Sequence, residues 1–236
     1  MLNFSVRKIA RNETYMLRFV LLLFFECMGG VAFCSAQVVL YAGVLGGLAT
    51  LSADARSQLT AQGLNASLYK PENGPALNLF GGAHVTQYLS LQANYVWNRN
   101  NLILSSTSSA SSSFYEEQRK SSQHALIFDV LIYFRRQDSR LRPYLSAGTG
   151  IVQLSSTQQR IVALSGTPTL PASHFSSTSP VLRVAVGMDI AIAHRVAFRY
   201  SFSETLRHND ISSQLSPPAQ RGLANFQNLF GIGFRF

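Results

Sequence analysis

The chain has 236 residues and a formal net charge of +9, and 13% of its residues are charged while 47% are hydrophobic. Ordinary soluble domains have a charged fraction of about 25%, so this composition argues against a charge-rich disordered chain and a coiled coil. The basic residues are scattered without a long Lys/Arg tract, so we expect no nucleic acid as a partner. A polytopic helical membrane protein is excluded, because no run of about 20 apolar residues follows residue 36.

The first residues predict a secretory signal peptide. Basic residues are followed by an apolar stretch over 19–25 and by the small residues at 34–36. This order is typical of an exported protein that is cleaved after a small residue. We therefore predict a signal peptide over 1–36 and one domain over 37–236. An uncleaved membrane anchor is the alternative, and Met16 is an alternative start.

From residue 37 onward, hydrophobic residues alternate with a period of two rather than with a helical period. The clearest case is 125–135, where Leu126 to Phe134 supply one apolar face at every second position. Such alternation places successive side chains on opposite faces of a sheet. Eight strands are predicted, at about 38–47, 76–85, 89–98, 125–135, 144–154, 182–191, 196–203 and 224–236. Strands of about ten residues can cross a membrane when tilted.

The connections between these segments alternate in length. The long linkers cover about 48–75, 99–120, 155–180 and 204–223, and the short ones about 86–88, 136–142 and 193–195. In outer-membrane barrels the external loops can grow while the periplasmic turns stay short. The long linkers are also polar. The sequence therefore predicts an all-β fold: an eight-stranded antiparallel up-and-down transmembrane barrel with short periplasmic turns and four long external loops.

The last strand is aromatic and alternates up to the final residue. One set of alternate positions contains Phe230, Ile232, Phe234 and Phe236. A terminal aromatic strand of this form resembles the signal that the outer-membrane barrel assembly machinery reads. We therefore predict an assembly signal here, with that machinery as a partner during biogenesis. The alternative is an ordinary C-terminal core strand.

Three segments carry a resemblance to a known family. They are the turn and strand at 142–150, the hairpin at 187–202 and the terminus at Phe236. With them the chain resembles the eight-stranded outer-membrane β-barrel family of the OmpA, OmpX and opacity-protein type, over about 37–236. The resemblance implies a bacterial outer-membrane location, contact with outer-membrane lipids and a role in envelope integrity or adhesion. A peptidoglycan-binding role is not expected, because no further segment follows the barrel.

Four charged residues fall on the inward face of the predicted strands. They are Asp129, Arg183, Asp189 and Arg199. The interior of an eight-stranded barrel is just wide enough for side chains, and buried charges must be paired. We predict a lumen charge network that plugs the barrel, in which Arg199 pairs with Asp129 or Asp189. A gate that opens a narrow conductance when this pair breaks is the alternative.

Aromatic residues on the outward face are expected at the two membrane interfaces. We place Tyr95 and Trp97 at the external interface, and Phe134 and Tyr144 at the periplasmic one. Aromatic rings concentrate at headgroup level in membrane barrels. The high β-propensity of aromatic residues is the alternative explanation.

The sequence offers no convincing catalytic, cofactor or metal site, so we expect no enzyme activity, no cofactor and no metal. His84 and Thr86 share a strand face and are the nearest approach to a catalytic pair, but no acidic residue is obviously close. A small lipid-modifying enzyme therefore stays an alternative. A soluble exported ligand-binding barrel is a less favoured alternative, because it would need polar outward faces.

The external loops are expected to contact an extracellular ligand or a host surface.

Overall fold

The computed structural model of the chain describes residues 38–52, 56–60, 63–109, 112–168, 170, 172–207 and 223–236. The predicted signal peptide lies outside these residues. Across the described ranges the secondary structure is β, and no helix there is long and apolar enough to span a membrane. The strands are β1 (Val39–Ser52), β2 (Arg56–Thr60), β3 (Gly63–Pro71), β4 (Asn73–His84), β5 (Leu89–Ser108), β6 (Ser113–Tyr133), β7 (Leu141–Ser165), β8 (His174–Ala193), β9 (Val196–Arg207) and β10 (Leu223–Arg235).

Eight of these strands close into a ring. The order is β1, β10, β9, β8, β7, β6, β5, β4 and back to β1, and every pairing is antiparallel. β1 and β10 form the seam that joins the two ends of the ring, with Val44 opposite Ile232. This confirms the predicted fold class.

The two remaining strands, β2 and β3, extend the first hairpin outward. Thr50 pairs with Asn73 in the ring, and Arg56 pairs with Ser67 in the same antiparallel register further along. β3 then pairs with the outer half of β5, where Lys70 lies opposite Ile103. The sheet therefore continues beyond the ring on this side.

Side chains alternate between the lumen and the outside along each ring strand. In β6 the odd-numbered residues are buried, and Leu126, Phe128, Val130 and Ile132 between them are exposed. Exposed aliphatic and aromatic residues in this pattern are what a lipid-facing barrel surface requires. The charge-poor composition follows, since one face meets lipid and the other fills a narrow interior.

The strands are longer than predicted, and much of the predicted external loops is sheet. Most of 99–120 belongs to β5 and β6, and most of 155–180 belongs to β7 and β8. The alternation continues in these parts, but the apolar residues now face inward and the polar ones outward. Leu51, Leu102, Leu104 and Leu154 form a buried cluster there, with Phe175 packed against it. Most of the fourth predicted loop, 204–223, lies outside the described residues.

The prediction for Tyr144 was wrong. This residue is 3% exposed and faces the lumen, where it packs with Leu131 and Tyr133. Tyr144 lies directly opposite Tyr133 in the ladder, so the two rings share the inner face. The strand is rich in small residues on both faces, so its sequence does not distinguish the inner face from the outer one.

Candidate functional site

The periplasmic end of the lumen is closed by an ion pair between Arg199 on β9 and Asp189 on β8. The two residues lie opposite each other in the ladder, and Arg199 Nη2 donates to Asp189 Oδ2 at 2.7 Å. The hydroxyl of Tyr133 donates to the same carboxylate oxygen at 3.0 Å. Arg199 Nη1 also donates to Gln92 Oε1 on β5 at 2.7 Å, so this guanidinium crosses the lumen. Asp189, and not Asp129, is therefore the partner of Arg199.

Aromatic rings surround the same guanidinium. Its Cζ lies 4.4 Å from the ring centroid of Phe80, 5.4 Å from that of Tyr41 and 5.3 Å from that of Tyr144. A guanidinium is attracted to aromatic faces at these distances. Arg199 therefore contacts side chains from six other strands, and it fills this end of the barrel.

A second ion pair lies further toward the external side. Arg183 Nη1 is 3.0 Å from Asp129 Oδ2, and Asn94 Nδ2 donates to the same oxygen at 3.0 Å. Gln92 Nε2 donates to Asn94 Oδ1 at 2.7 Å and so connects this pair to the first one. Gly148 faces Asp129, and a Cβ at that position would collide with its Oδ1. The four predicted charges thus form two ion pairs within one hydrogen-bonded network.

A third ion pair, which the sequence analysis missed, joins Glu117 and Arg119 on β6. Arg119 Nη1 is 2.8 Å from Glu117 Oε1, and both side chains are fully buried. Arg119 Nη2 also donates to the carbonyl oxygen of Ala172 at 2.8 Å, which holds the β7–β8 connection against the inner face. These residues lie in a predicted loop, but they share the odd-numbered parity of Asp129. Continuing the alternation would have found them.

Tyr115 lies two residues before this pair and outside the segment that meets lipid. The pKa of Tyr115 is raised to about 12, chiefly by burial and also by the nearby Glu117 carboxylate, while Arg119 opposes the change. The phenol therefore stays neutral at every pH near neutrality. Tyr115 is thus a neutral and buried side chain at the external end of the interior.

Apolar side chains separate the second ion pair from the third. They are Val96, Ala125, Ile127, Val152 and Val181, and buried polar side chains such as Asn98, Thr205 and Arg207 share the inner face near them. The leucine cluster of Leu51, Leu102, Leu104 and Leu154 continues this region outward. An ion that crossed the lumen would have to pass these buried side chains as well as the ion pairs, and such constrictions oppose conduction.

The histidine that the sequence singled out contacts a different hydroxyl. His84 Nδ1 lies 2.5 Å from Ser90 Oγ, whereas Thr86 Oγ1 accepts the backbone N–H of Leu89 in the turn. Both His84 and Ser90 are buried in the lumen. Within the described ranges, no group of three or more His, Cys, Asp or Glu residues could hold a metal ion.

The remaining predicted residues lie on the outward face. Tyr95 is exposed and its hydroxyl lies 2.8 Å from His124 Nδ1, while Trp97 on the same strand is half-buried. Phe134 is exposed just after β6 ends. The terminal set Phe230, Ile232, Phe234 and Phe236 is also exposed. These positions face lipid, which is where interfacial aromatic residues lie.

The outer end of β7 has a free edge. Beyond Gln158, whose backbone N–H reaches the carbonyl of Ser173, β7 pairs with β6 alone among the described residues. Ile161, Val162 and Leu164 in this segment are 43%, 47% and 54% exposed. An unpaired strand edge with exposed apolar side chains favours pairing with another chain.

Comparisons with known proteins give the same architecture. The structure is similar to that of the outer membrane protein OprG of Pseudomonas aeruginosa, with 13% identity, a TM-score of 0.50 and coverage of 84% of this chain and 96% of that one. It is also similar to neisserial surface protein A, with 14% identity, a TM-score of 0.49 and coverage of 85% and 98%. A third similar structure is that of the attachment invasion locus protein Ail of Yersinia pestis, with 12% identity, a TM-score of 0.42 and coverage of 83% of this chain and 98% of that one.

A comparison with curated protein sequences found no match. The family model of the outer membrane protein beta-barrel domain matches residues 31–236, which is most of the chain. The closed ring and the apolar outward face agree with that match, and they confirm the expected location in the outer membrane. The chain belongs to the family of outer membrane protein beta-barrel domains.

Proposed function

We propose that this protein is a surface-interaction protein of the outer membrane, with a lumen that is plugged rather than conducting. The observation that carries the proposal is the free outer edge of β7, at Ile161, Val162 and Leu164. Exposed apolar patches on soluble surfaces mark sites of contact with other molecules. An extended segment of a partner can add to such an edge through main-chain hydrogen bonds. This arrangement supports adhesion to an extracellular ligand or host surface, and a structural role in the envelope is the other role that we propose.

Charge substitutions on the edge test the proposal. Cells that produce the wild-type protein should adhere to matrix-coated surfaces more than cells without it, and Val162→Lys with Leu164→Lys should remove most of the gain. The matched control is Ser165→Lys with Thr167→Lys, which adds the same charge at exposed polar positions nearby. Equal adhesion with and without the wild-type protein would contradict an adhesive role. The detergent sensitivity of the same cells would then test the envelope role.

A narrow gated pore is the second candidate, and one feature of the ladder favours it. Asp189 lies opposite Arg142 on one side and opposite Arg199 on the other. The carboxylate can therefore exchange one arginine for the other, as a two-state gate requires.

Planar-bilayer recordings separate the plug from the gate. The buried side chains along the interior predict that the wild-type protein and Arg199→Ala are both silent, because the remaining residues still block the lumen. Stepwise conductance in Arg199→Ala, absent from the exposed-turn control Arg195→Ala, would overturn the plug and favour the gate.

We infer that His84 and Ser90 are structural, because both are buried inside the barrel. Hydrolysis of a membrane lipid that is lost in Ser90→Ala would contradict this inference.

The outward aromatic residues of β10 support recognition by the barrel assembly machinery during biogenesis, and outer-membrane lipids are the other expected partners.

A further inference from the structure

Basic side chains are concentrated on one flank of the barrel, just above the surface that meets lipid. We call Lys70, Arg99, Lys120 and Arg160 the basic flank. Their strands, β3, β5, β6 and β7, are neighbours in the sheet. Lys70 lies opposite Ile103, and Lys120 lies opposite Asn101 and Thr157, so the basic residues share the outward face.

The charges of the basic flank are available to a ligand. Lys70, Arg99 and Arg160 are exposed and Lys120 is half-buried. The ion pairs found among the described residues all lie inside the lumen, and none includes these four side chains. Arg160 Nε donates to Gln118 Oε1 at 3.1 Å, which fixes that guanidinium on the outer surface.

The other side of the barrel differs in charge at the same level. The described outward residues of β1, β8, β9 and β10 near that level are Thr50, Thr178, Ser176, Glu204, Leu206, Phe226 and Asn228. Glu204 is the one charged residue among them. Two carboxylates, Glu72 and Glu116, lie near the basic flank but form no ion pair with it in the described structure. Among the described residues, positive outward charge is thus concentrated on one flank.

The lower end of the basic flank, at Arg99, matches the height of lipid headgroups. A strand tilted by about 40° rises about 2.5 Å per residue along the membrane normal, and the apolar band of a barrel is about 25 Å tall. Arg99 comes ten residues after Leu89, where β5 begins, which places it at the external edge of that band. Directly below it on the same face are Trp97 and Tyr95.

We propose that the basic flank binds the phosphate groups of lipids in the external leaflet. The acyl chains of such a lipid would lie on the apolar outward face below, and its phosphates would meet Lys70, Arg99 and Lys120. The sideways orientation of these side chains, continuous with the lipid-facing surface, favours a membrane lipid over a polyanion from solution. Basic residues near a surface attract anionic headgroups strongly enough to select them.

Trp97 supplies a local readout, because it is the one tryptophan of the chain and lies next to Arg99. The full-length protein, folded into phosphatidylcholine vesicles, is mixed with brominated phosphatidic acid or brominated phosphatidylcholine, and quenching of Trp97 fluorescence is measured. We expect roughly a five- to tenfold preference for the phosphate monoester lipid at Trp97. The triple variant Lys70→Gln, Arg99→Gln, Lys120→Gln should reduce it to near one.

The matched control removes the same charge from the periplasmic turns, through Arg136→Gln, Arg140→Gln and Arg195→Gln, and should keep the preference. Heat-modifiable gel migration verifies folding of each variant, and the single change Lys120→Gln replaces the triple variant if that fails to fold. Equal quenching by the two brominated lipids, or an equal loss in the control, would overturn the proposal. Full competition by soluble inositol hexakisphosphate at matched ionic strength would show a site for any polyanion and would overturn the lipid assignment.

Discussion

At the scale of single residues, the interior is held by charges that are buried together with their partners. Asp129 is 3% exposed and Arg183 is 2% exposed, and each is the ion-pair partner of the other. Removing one partner leaves an uncompensated charge in a medium of low dielectric constant, whereas replacing both can be nearly neutral. The lumen therefore tolerates paired changes better than single ones.

Asp129→Ala is accordingly expected to lower the free energy of unfolding by about 3–5 kcal/mol, because Arg183 stays buried without its carboxylate. The double variant Asp129→Asn, Arg183→Met should recover most of that loss. Urea titration of the protein folded in vesicles measures both values. A double variant at least as unstable as Asp129→Ala would argue that the pair is not the source of the effect.

At the scale of single elements, the end of the chain after β10 allows the folding of the barrel and its delivery to the membrane to be tested separately. The backbone N–H of Phe236 donates to the carbonyl of Leu40 at 2.9 Å, while its side chain is 75% exposed. A change of the side chain alone leaves the seam between β1 and β10 intact. The phenyl ring of Phe236 therefore contributes little to the stability of the folded barrel and is free to act as an assembly signal.

Phe236→Ser should consequently reduce the amount of protein in outer-membrane fractions several-fold, while the purified chain refolds in vesicles as well as the wild type. Quantitative immunoblots of fractions and gel migration after refolding measure the two properties. Phe134→Ser is the matched control, since Phe134 is another exposed phenylalanine at the periplasmic end. Equal losses in both variants would mean that the terminal ring has no special role in assembly.

The individual strands also show which parts of the fold could be predicted from the sequence. Segments that meet lipid, such as 125–135, show apolar residues at every second position, and their strands and inner faces were found correctly. The outer parts of β5 to β8 were missed as strands because serine and other polar residues cover their outward face, and a polar strand resembles a loop in composition. Tyr144 was assigned to the wrong face because the small residues around it match either side. Which carboxylate pairs with Arg199 depends on the register between β8 and β9, which periodicity does not reveal.

At the scale of the whole molecule, closure of the ring removes the free edges that β1 and β10 would otherwise expose. The apolar outward face then requires lipid or detergent, which argues against a soluble ligand-binding barrel. The interior with its buried ion pairs, the projecting free edge of β7 and the basic flank all lie on this one scaffold. Their roles depend on the ring being closed by the first and last strands.

Disulfide trapping across the seam tests that closure. Val44 and Ile232 lie opposite each other and both are exposed, so Val44→Cys with Ile232→Cys should form a cross-link under mild oxidation in the folded protein. The expected mature chain from residue 37 has no other cysteine. The cross-linked chain should migrate faster than its reduced form after boiling, because a disulfide between the two ends keeps the unfolded chain compact. Val44→Cys with Phe236→Cys, four residues out of register, is the control and should stay reduced. Cross-linking in the control alone would show that β1 and β10 meet in another register.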